Sequence, residues 1–364
     1  MIHFHNYLKQ SKELVTKVNF EGIKCVHVVM GNESCDLDST IAPLALACFY
    51  ANDKYRCSDI KVIPVMNVAA DDFPIKTESN YLLDKYKVDK SNLIFKDEIN
   101  MTWLCQQERL KITLVDHHIL SESDSHLKCC VTEIIDHRPL DKASEWDKNV
   151  RFILSQVGSC CTLIANEIFQ IYNRCLCTVA QLLYETIVFD TIGFKPEAGK
   201  SKELDFTMAE QLEKLLKPTK TRLEIFDELW AAHNDVSALT TRQLLSKDLK
   251  QIGNVLIPGL PMLVQHFISR PDFEHAISSF FSDKNGEAII IMGLETEDGI
   301  TRDIAFYPVG NDVVKKLQQR ILADELQLEE VANSLEQLNV YKQNNVLHSR
   351  KYLIPIIKDT IAEK

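Results

Sequence analysis

Residues 24–50 read "KCVHVVMGNESCDLDSTIAPLALACFY". The first seven are almost continuously apolar and rich in valine, the composition of a strand buried on both faces, and the last ten read as a buried helix. Between them Asn32, Glu33, Asp36 and Asp38 crowd into seven positions. A strand covered on both faces and followed by a helix belongs to a largely parallel α/β sheet, and open sheets of that kind bind ligands beyond the carboxyl ends of their strands. The acidic stretch falls at such an end.

The same alternation continues downstream to about residue 190. Strand-like runs occur at "IKVIPVM", "NLIF", "KITLVD" and "VTEIID", and helices are predicted over 41–52, 162–172 and 178–189. These make residues 1–198 a first domain, α/β with a mostly parallel sheet flanked by helices. Residues 199–222, richer in Lys, Glu, Thr and Pro, read as a connector with some helix in it. Residues 223–364 form a smaller α/β domain, with strands "EAIIIMGLE" and "RDIAFYP" joined through the Asp-Gly turn of "EDGI" and helices over 313–326 and 352–362.

The chain has 364 residues, is 45% hydrophobic and carries a formal net charge of -11, which opposes binding to a nucleic-acid polymer and makes an anionic substrate depend on local positive charge. Its eleven cysteines are odd in number, include the adjacent pairs 129/130 and 160/161, and form no CxxC, a pattern of reduced thiols rather than a disulfide framework or a zinc ribbon. No apolar stretch reaches membrane-spanning length. The first twenty residues read as an amphipathic helix without arginine, so a cytoplasmic location is expected, with a mitochondrial one as the alternative.

Three further segments repeat the chemistry of residues 32–38. "LVDHHIL" places Asp116 at the end of an apolar run, followed by His117 and His118; "EIIDHRPL" supplies Asp136, His137 and Arg138; "YETIVFDTIGF" supplies Asp190 after a fourth run. Any one of these aspartates could be a helix N-cap. Four such ends converging on one sheet edge put more carboxylates together than can stay ionised without cations. Oxygen donors with one or two imidazoles suit Mg or Mn, with Co as a substitute. Two such ions about 3.5–4 Å apart can activate a water and hold a phosphoryl oxygen. Adjacent residues of an extended segment face opposite ways. Asp116 is therefore the expected ligand of its motif and His137 the imidazole ligand, while His117 or His118 orients Asp116 or donates a proton.

"GNESCDLDST", "LVDHHILSESD", "IIDHRPL", "VGSCCTL" and "TIVFD" resemble, in order and spacing, the motifs of the DHH phosphoesterase superfamily, in the branch of prune-type exopolyphosphatases and, more distantly, family II inorganic pyrophosphatases. The second domain resembles DHHA2, with "KDLK" at its Asp-x-Lys motif and "SRKYLIP" at its Ser-Arg-Lys motif. The resemblance implies an active site in a cleft between the two domains and two divalent metals, one on Asp36 and Asp116, the other on Asp38, Asp116, His137 and Asp190. Asn32 stands where the pyrophosphatases have a histidine ligand, which moves the expected metal toward Mg, and Arg138 stands in place of the second histidine of their DHH motif, offering a planar fork to phosphate. Lys250, Arg350 and Lys351 match substrate-gripping positions, and Ser349 to Lys351 open a helix whose free amides favour anions.

The activity so implied is release of phosphate from short inorganic polyphosphates, with Asp116, His117, His118 and Arg138 in catalytic roles and Asn32, Arg138, Lys250, Ser349, Arg350 and Lys351 on the substrate. A cyclic nucleotide or another phosphorylated small molecule would suit the same centre. The reading from a different class is a regulator of protein partners with weak catalysis. The motifs of rival chemistries, GxGxxG, the P-loop, HExxH and GxSxG, do not occur.

Overall fold

The structure is a computed structural model that describes residues 3–16, 20, 22–52, 59–140, 145–171, 177–296 and 299–362. It divides into two compact units, Met1–His233 and Asn234–Lys364.

The first unit runs α1 (Phe4–Val15), β1 (Cys25–Met30), α2 (Leu37–Asn52), β2 (Ile60–Val65), α3 (Thr77–Lys85), α4 (Met101–Gln106), β3 (Leu110–Val115), β4 (Val131–Asp136), β5 (Arg151–Leu154), α5 (Cys160–Ile171), α6 (Cys177–Asp190), α7 (Glu203–Leu216) and α8 (Arg222–Asn234). Its five strands are parallel, in the order β2-β1-β3-β4-β5. Both faces of the sheet are covered, as the apolar runs require. Val29, Val115 and Ile135 join α2, α5, α6 and α7 in one cluster, while Val26, Val28, Met30 and Ile112 join residues of α4 and Leu127 in another. Helix α2 is buried along Leu37–Tyr50, so it has no polar stripe. Full burial of each of its Leu and Ile side chains contributes about 1.5–3 kcal/mol.

β1 is followed by a step outward to β2, and the chain then returns to place β3 on the other side of β1. The sheet's topological switch point therefore lies at the carboxyl ends of β1 and β3, where this class of sheet opens its binding crevice.

Three expectations differ from the structure. "NLIF" contributes a single bridge, Met66 to Phe95, rather than a strand. The helix predicted over 178–189 is α6, so Asp190 closes a buried helix and is not a fourth strand end at the sheet edge. The stretch expected as a connector with some helix at 199–222 is part of the first unit: Met208, Ala209 and Leu212 of α7 sit in its core, and Ile225 and Leu229 of α8 join them. The boundary between compact units falls at 233/234.

Helix α1 belongs to the first unit's core: Phe4, Tyr7 and Leu8 are buried, and the Tyr7 hydroxyl donates to the Val62 carbonyl at 2.9 Å. No helix among the described residues is long and apolar enough to cross a membrane.

The second unit contains α9 (Thr241–Lys247), β6 (Leu249–Ile252), β7 (Val255–Leu260), α10 (Val264–Phe267), α11 (Phe273–Asp283), β8 (Ala288–Glu295), β9 (Thr301–Tyr307), α12 (Asp312–Leu322), β10 (Leu328–Val331), β11 (Asn339–Gln343) and α13 (Arg350–Ala362). Its sheet is mixed, in the order β10-β11-β9-β8-β7-β6, with only β7 and β8 parallel. The strands predicted from "EAIIIMGLE" and "RDIAFYP" are β8 and β9; part of the turn between them lies outside the described residues.

Candidate metal centre

Gly31 ends β1 under α2. A Cβ there would lie 2.2 Å from the Ser39 carbonyl oxygen, so only glycine lets the loop pass this close to the first turn of α2. Asp36 is the N-cap of that helix, its Oδ1 accepting from the Ser39 amide at 3.0 Å. Asp38 follows in the first turn and is buried. Its Oδ1 accepts from Ser159 Oγ at 2.9 Å and the Cys161 amide at 2.8 Å, and its Oδ2 accepts from the Cys160 amide. "VGSCC" thus delivers the start of α5 onto Asp38, and Ser159 serves that carboxylate.

Asp116 lies just past β3, and its φ of 60° turns the chain sharply there. Its Oδ2 accepts from Ser39 Oγ at 2.6 Å and Asn32 Nδ2 at 2.8 Å. Its Oδ1 is buried, accepts no hydrogen bond, and lies 3.1 Å from His137 Nε2. Asn32 is used at both ends, since its Oδ1 accepts from the Ser34 amide at 2.9 Å. This position holds the Asp116 carboxylate.

His137 reaches in from the loop after β4. Its Nδ1 pairs with the Val157 carbonyl at 2.9 Å, which assigns the Nδ1 proton and presents Nε2 to Asp116 and, at 4.0 Å, to Asp38. This orientation by a backbone carbonyl is typical of metal-binding imidazoles. Asp38, Asp116 and His137 form a group whose ligand atoms all lie within 4.8 Å of one another.

Asp36 and Asp190 lie outside that tight group but are felt by it electrostatically. Burial, followed by the charges of Asp38 and Asp36, pushes Asp190 well above the usual carboxylate range, and its Oδ2 is buried without a hydrogen bond. Burial and the Asp116 charge push Asp38 up to about 7 and also raise Asp36. Burial alone would lower His137, but the Asp116 and Asp38 carboxylates outweigh it and push it up to about 9. A protein that buries these acids together, with Asp116 Oδ1 and Asp190 Oδ2 left unbonded, has arranged donors for a cation. Oxygen donors with one Nε2 fit a divalent metal.

The histidines divide differently from the expectation for an extended segment. The strand ends at Val115, so His117 and His118 both turn inward and both are buried. His117 Nδ1 meets the Val115 carbonyl at 2.9 Å, and burial lowers its pKa. His118 Nδ1 pairs with Asp136 Oδ2, whose other oxygen accepts from the amides of His137, at 2.7 Å, and Arg138, at 3.2 Å. Asp136 thus fixes the loop and the His118 ring. Neither histidine hydrogen-bonds Asp116; Ser39 and Asn32 do. Arg138 is half exposed, with Nη2 3.7 Å from Asp116 Oδ1. Asn32, Glu33, Asn67, His117, His118 and Arg138 line a cleft of about 210 Å³ beside the group.

In the second unit Arg350 opens α13 and is bound to its own fold, with Nη2 2.6 Å from Asp248 Oδ1 and Nη1 3.1 Å from the Ile257 carbonyl. This brings the "KDLK" and "SRKY" segments together. Lys250 lies on β6, not on a helix, and is exposed, as is Lys351, whose amide donates to Ser349 Oγ at 3.3 Å. Neither lysine makes an ion pair among the described residues.

Sequence reasoning missed Ser39, Asn67 and the Val157 carbonyl. For Ser39 a signal existed: a hydroxyl in the first turn of a helix starting at an acidic strand end faces the same crevice as the acids.

The N-terminal domain model of the DHH family matches residues 27–187, and the DHHA2 domain model matches residues 227–360. The chain is similar to "Exopolyphosphatase PRUNE1" of Mus musculus, 34% identical over 347 residues, covering 93% of this chain and 76% of the mouse protein. It is 33% identical to the protein of the same name from Homo sapiens over 350 residues, with the same coverage. Among solved structures it is similar to a "putative family II inorganic pyrophosphatase" of Methanococcus jannaschii, with a TM-score of 0.50 and 20% identity, covering 92% of this chain and 99% of that one, a likeness of fold. With both domain models matched in order and prune relatives matched along nearly the whole chain, this protein belongs to the DHH phosphoesterase superfamily, in its prune-type branch that joins a DHH to a DHHA2 domain.

Proposed function

We propose that this protein hydrolyses the terminal phosphoanhydride of short inorganic polyphosphates, with Mg or Mn bound at the edge of the first sheet. The observation that carries the proposal is the buried carboxylate set at the switch point, with Asp116 Oδ1 and Asp190 Oδ2 unbonded and His137 Nε2 facing Asp116 and Asp38. The names of the relatives support the substrate class. Asp36, Asp38, Asp116, His137 and Asp190 are the residues that would hold two ions. Bound there, divalent cations supply Lewis acidity to a phosphoryl oxygen and lower the pKa of water.

The chain's own groups supply the rest. Ser39 and Asn32 fix the Asp116 carboxylate, and the amides of Cys160 and Cys161 fix Asp38, so the donors need no rearrangement. Arg138 presents a permanent charge to a phosphoryl oxygen. His118, its ring held by Asp136 and lining the cleft, is our proton donor to the leaving oxygen. Lys250 and Lys351 are the second unit's groups for the phosphate chain. Arg350, committed to Asp248, positions Lys351, and Ser349 caps its helix.

The test is phosphate release from tripolyphosphate, tetrapolyphosphate and pyrophosphate, with cyclic AMP alongside, in Mg or Mn. Asp116→Asn should lose more than about a hundredfold in rate, because even residues that only orient a ligand cost about 10- to 100-fold. Full activity in that variant would overturn the centre. Turnover of cyclic AMP alone would keep the centre and replace the substrate.

A further inference from the structure

Away from the acidic edge, the first unit brings three cysteines together. Cys105 comes from the last turn of α4, and Cys129 and Cys130 from the 3₁₀ segment Glu122–Cys130 that leads into β4. The three sulfurs are 3.1 Å apart for 105/130, 3.8 Å for 105/129 and 4.0 Å for 129/130. Zinc bonded to thiolates at about 2.3 Å in a tetrahedron spaces its sulfurs by about 3.8 Å. Two edges of the observed triangle match one face of such a tetrahedron, and the 105/130 edge, at 3.1 Å, is shorter, so binding would spread that pair.

We propose that Cys105, Cys129 and Cys130 form a second metal site, distinct in chemistry from the carboxylate centre, that binds one thiophilic cation such as Zn with solvent in the fourth position. Three soft donors select Zn over Mg or Mn, and the acidic edge has the opposite preference. Cys130 is buried, Cys105 half-buried and Cys129 exposed, so the triangle has one face toward protein and one toward water. That leaves an entry path and an open coordination position. Without a cation, burial and then the neighbouring thiols hold the Cys130 thiol far above its ordinary pKa. Binding would release protons and tie α4 to the segment entering β4. The absence of CxxC spacing does not argue against the site, because the ligands converge from residues 24 and 25 positions apart plus one adjacent pair.

The test is a titration of the reduced, metal-stripped full chain with Cd, read by the ultraviolet sulfur-to-cadmium charge-transfer band, which carboxylates and imidazoles do not give. The expected result is saturation at one equivalent per chain, competition by Zn and not by Mg, and loss of the band in Cys129→Ser and Cys105→Ser. Cys177→Ser, outside the cluster, should keep it. Cys129 is exposed, so its variant is expected to fold, and circular dichroism checks this. Absence of the band in the reduced wild-type protein, or its survival in both cluster variants, would overturn the proposal.

Discussion

Both units bury aspartates, and Asp303 of the second is treated in the opposite way to Asp116 and Asp190 of the first. In the second unit Asp303 on β9 is fully enclosed, and each oxygen has a donor: Oδ1 accepts from the Val264 amide at 2.7 Å and Oδ2 from the Gln265 amide at 3.1 Å, both at the start of α10. At the switch point of the first unit, Asp116 and Asp190 each keep a buried oxygen with no hydrogen bond. The contrast does not come from burial itself, since burial raises the pKa of Asp303 as it does those of Asp38 and Asp190. It comes from satisfaction. Asp303 has both oxygens bonded within the protein and holds the fold, whereas Asp116 and Asp190, beside an Asp38 already bonded at both oxygens, keep an oxygen to spare for a cation.

The sharpest way to break this contrast is to truncate the satisfied acid. Asp303→Ala leaves two amides at the start of α10 without their acceptor, and hydrogen bonds to charged groups are worth about 1.5–3 kcal/mol each. A stability loss of several kcal/mol is expected in denaturant unfolding. A loss below about 1 kcal/mol would remove Asp303 as the structural counterpart.

Next comes a residue that touches the candidate centre only through Asp116. Ser39→Ala removes the 2.6 Å bond to Asp116 Oδ2, and activity should fall about 10- to 100-fold with little change in unfolding. An unchanged rate would show that Ser39 does not position Asp116.

The smallest effect is on pH dependence. Asp38 is raised to about 7 in the folded protein from an ordinary value of 3.8, and His137 to about 9 from 6.5. In both cases the folded state holds the proton more tightly than the unfolded chain. Stability of the metal-free protein should therefore fall as pH rises from about 4 to 9. Added metal, which needs the deprotonated ligands, should flatten or reverse that slope. Unfolding curves at three pH values, with and without Mn, measure it; a metal-free slope of the opposite sign would contradict these assignments.

Much of this contrast was legible in the sequence. The apolar runs at 25–30, 110–115 and 131–136 marked strands buried on both faces, and their acidic ends marked the crevice. What was hidden depends on spatial neighbours. Asp190 shares the chemistry of the strand ends but closes the helix predicted over 178–189, and its distance from the other acids depends on how that buried helix packs. The helix expected within the connector packs its Met208, Ala209 and Leu212 into the first unit's core, which its mostly polar composition did not show. The roles of His117 and His118 turned on the φ of a single residue, Asp116, and no pattern announces that. The acid most firmly held at the edge, Asp136, looks the same in sequence as Asp116, because both precede a histidine; only their hydrogen bonds separate them.

The most direct test is equilibrium Mn binding to the metal-stripped protein, beside Asp116→Asn and Asp303→Asn. The account predicts two Mn ions on the wild-type chain, strongly weakened binding in Asp116→Asn, and undiminished binding by whatever fraction of Asp303→Asn folds. Mn binding of wild-type strength in Asp116→Asn would contradict it.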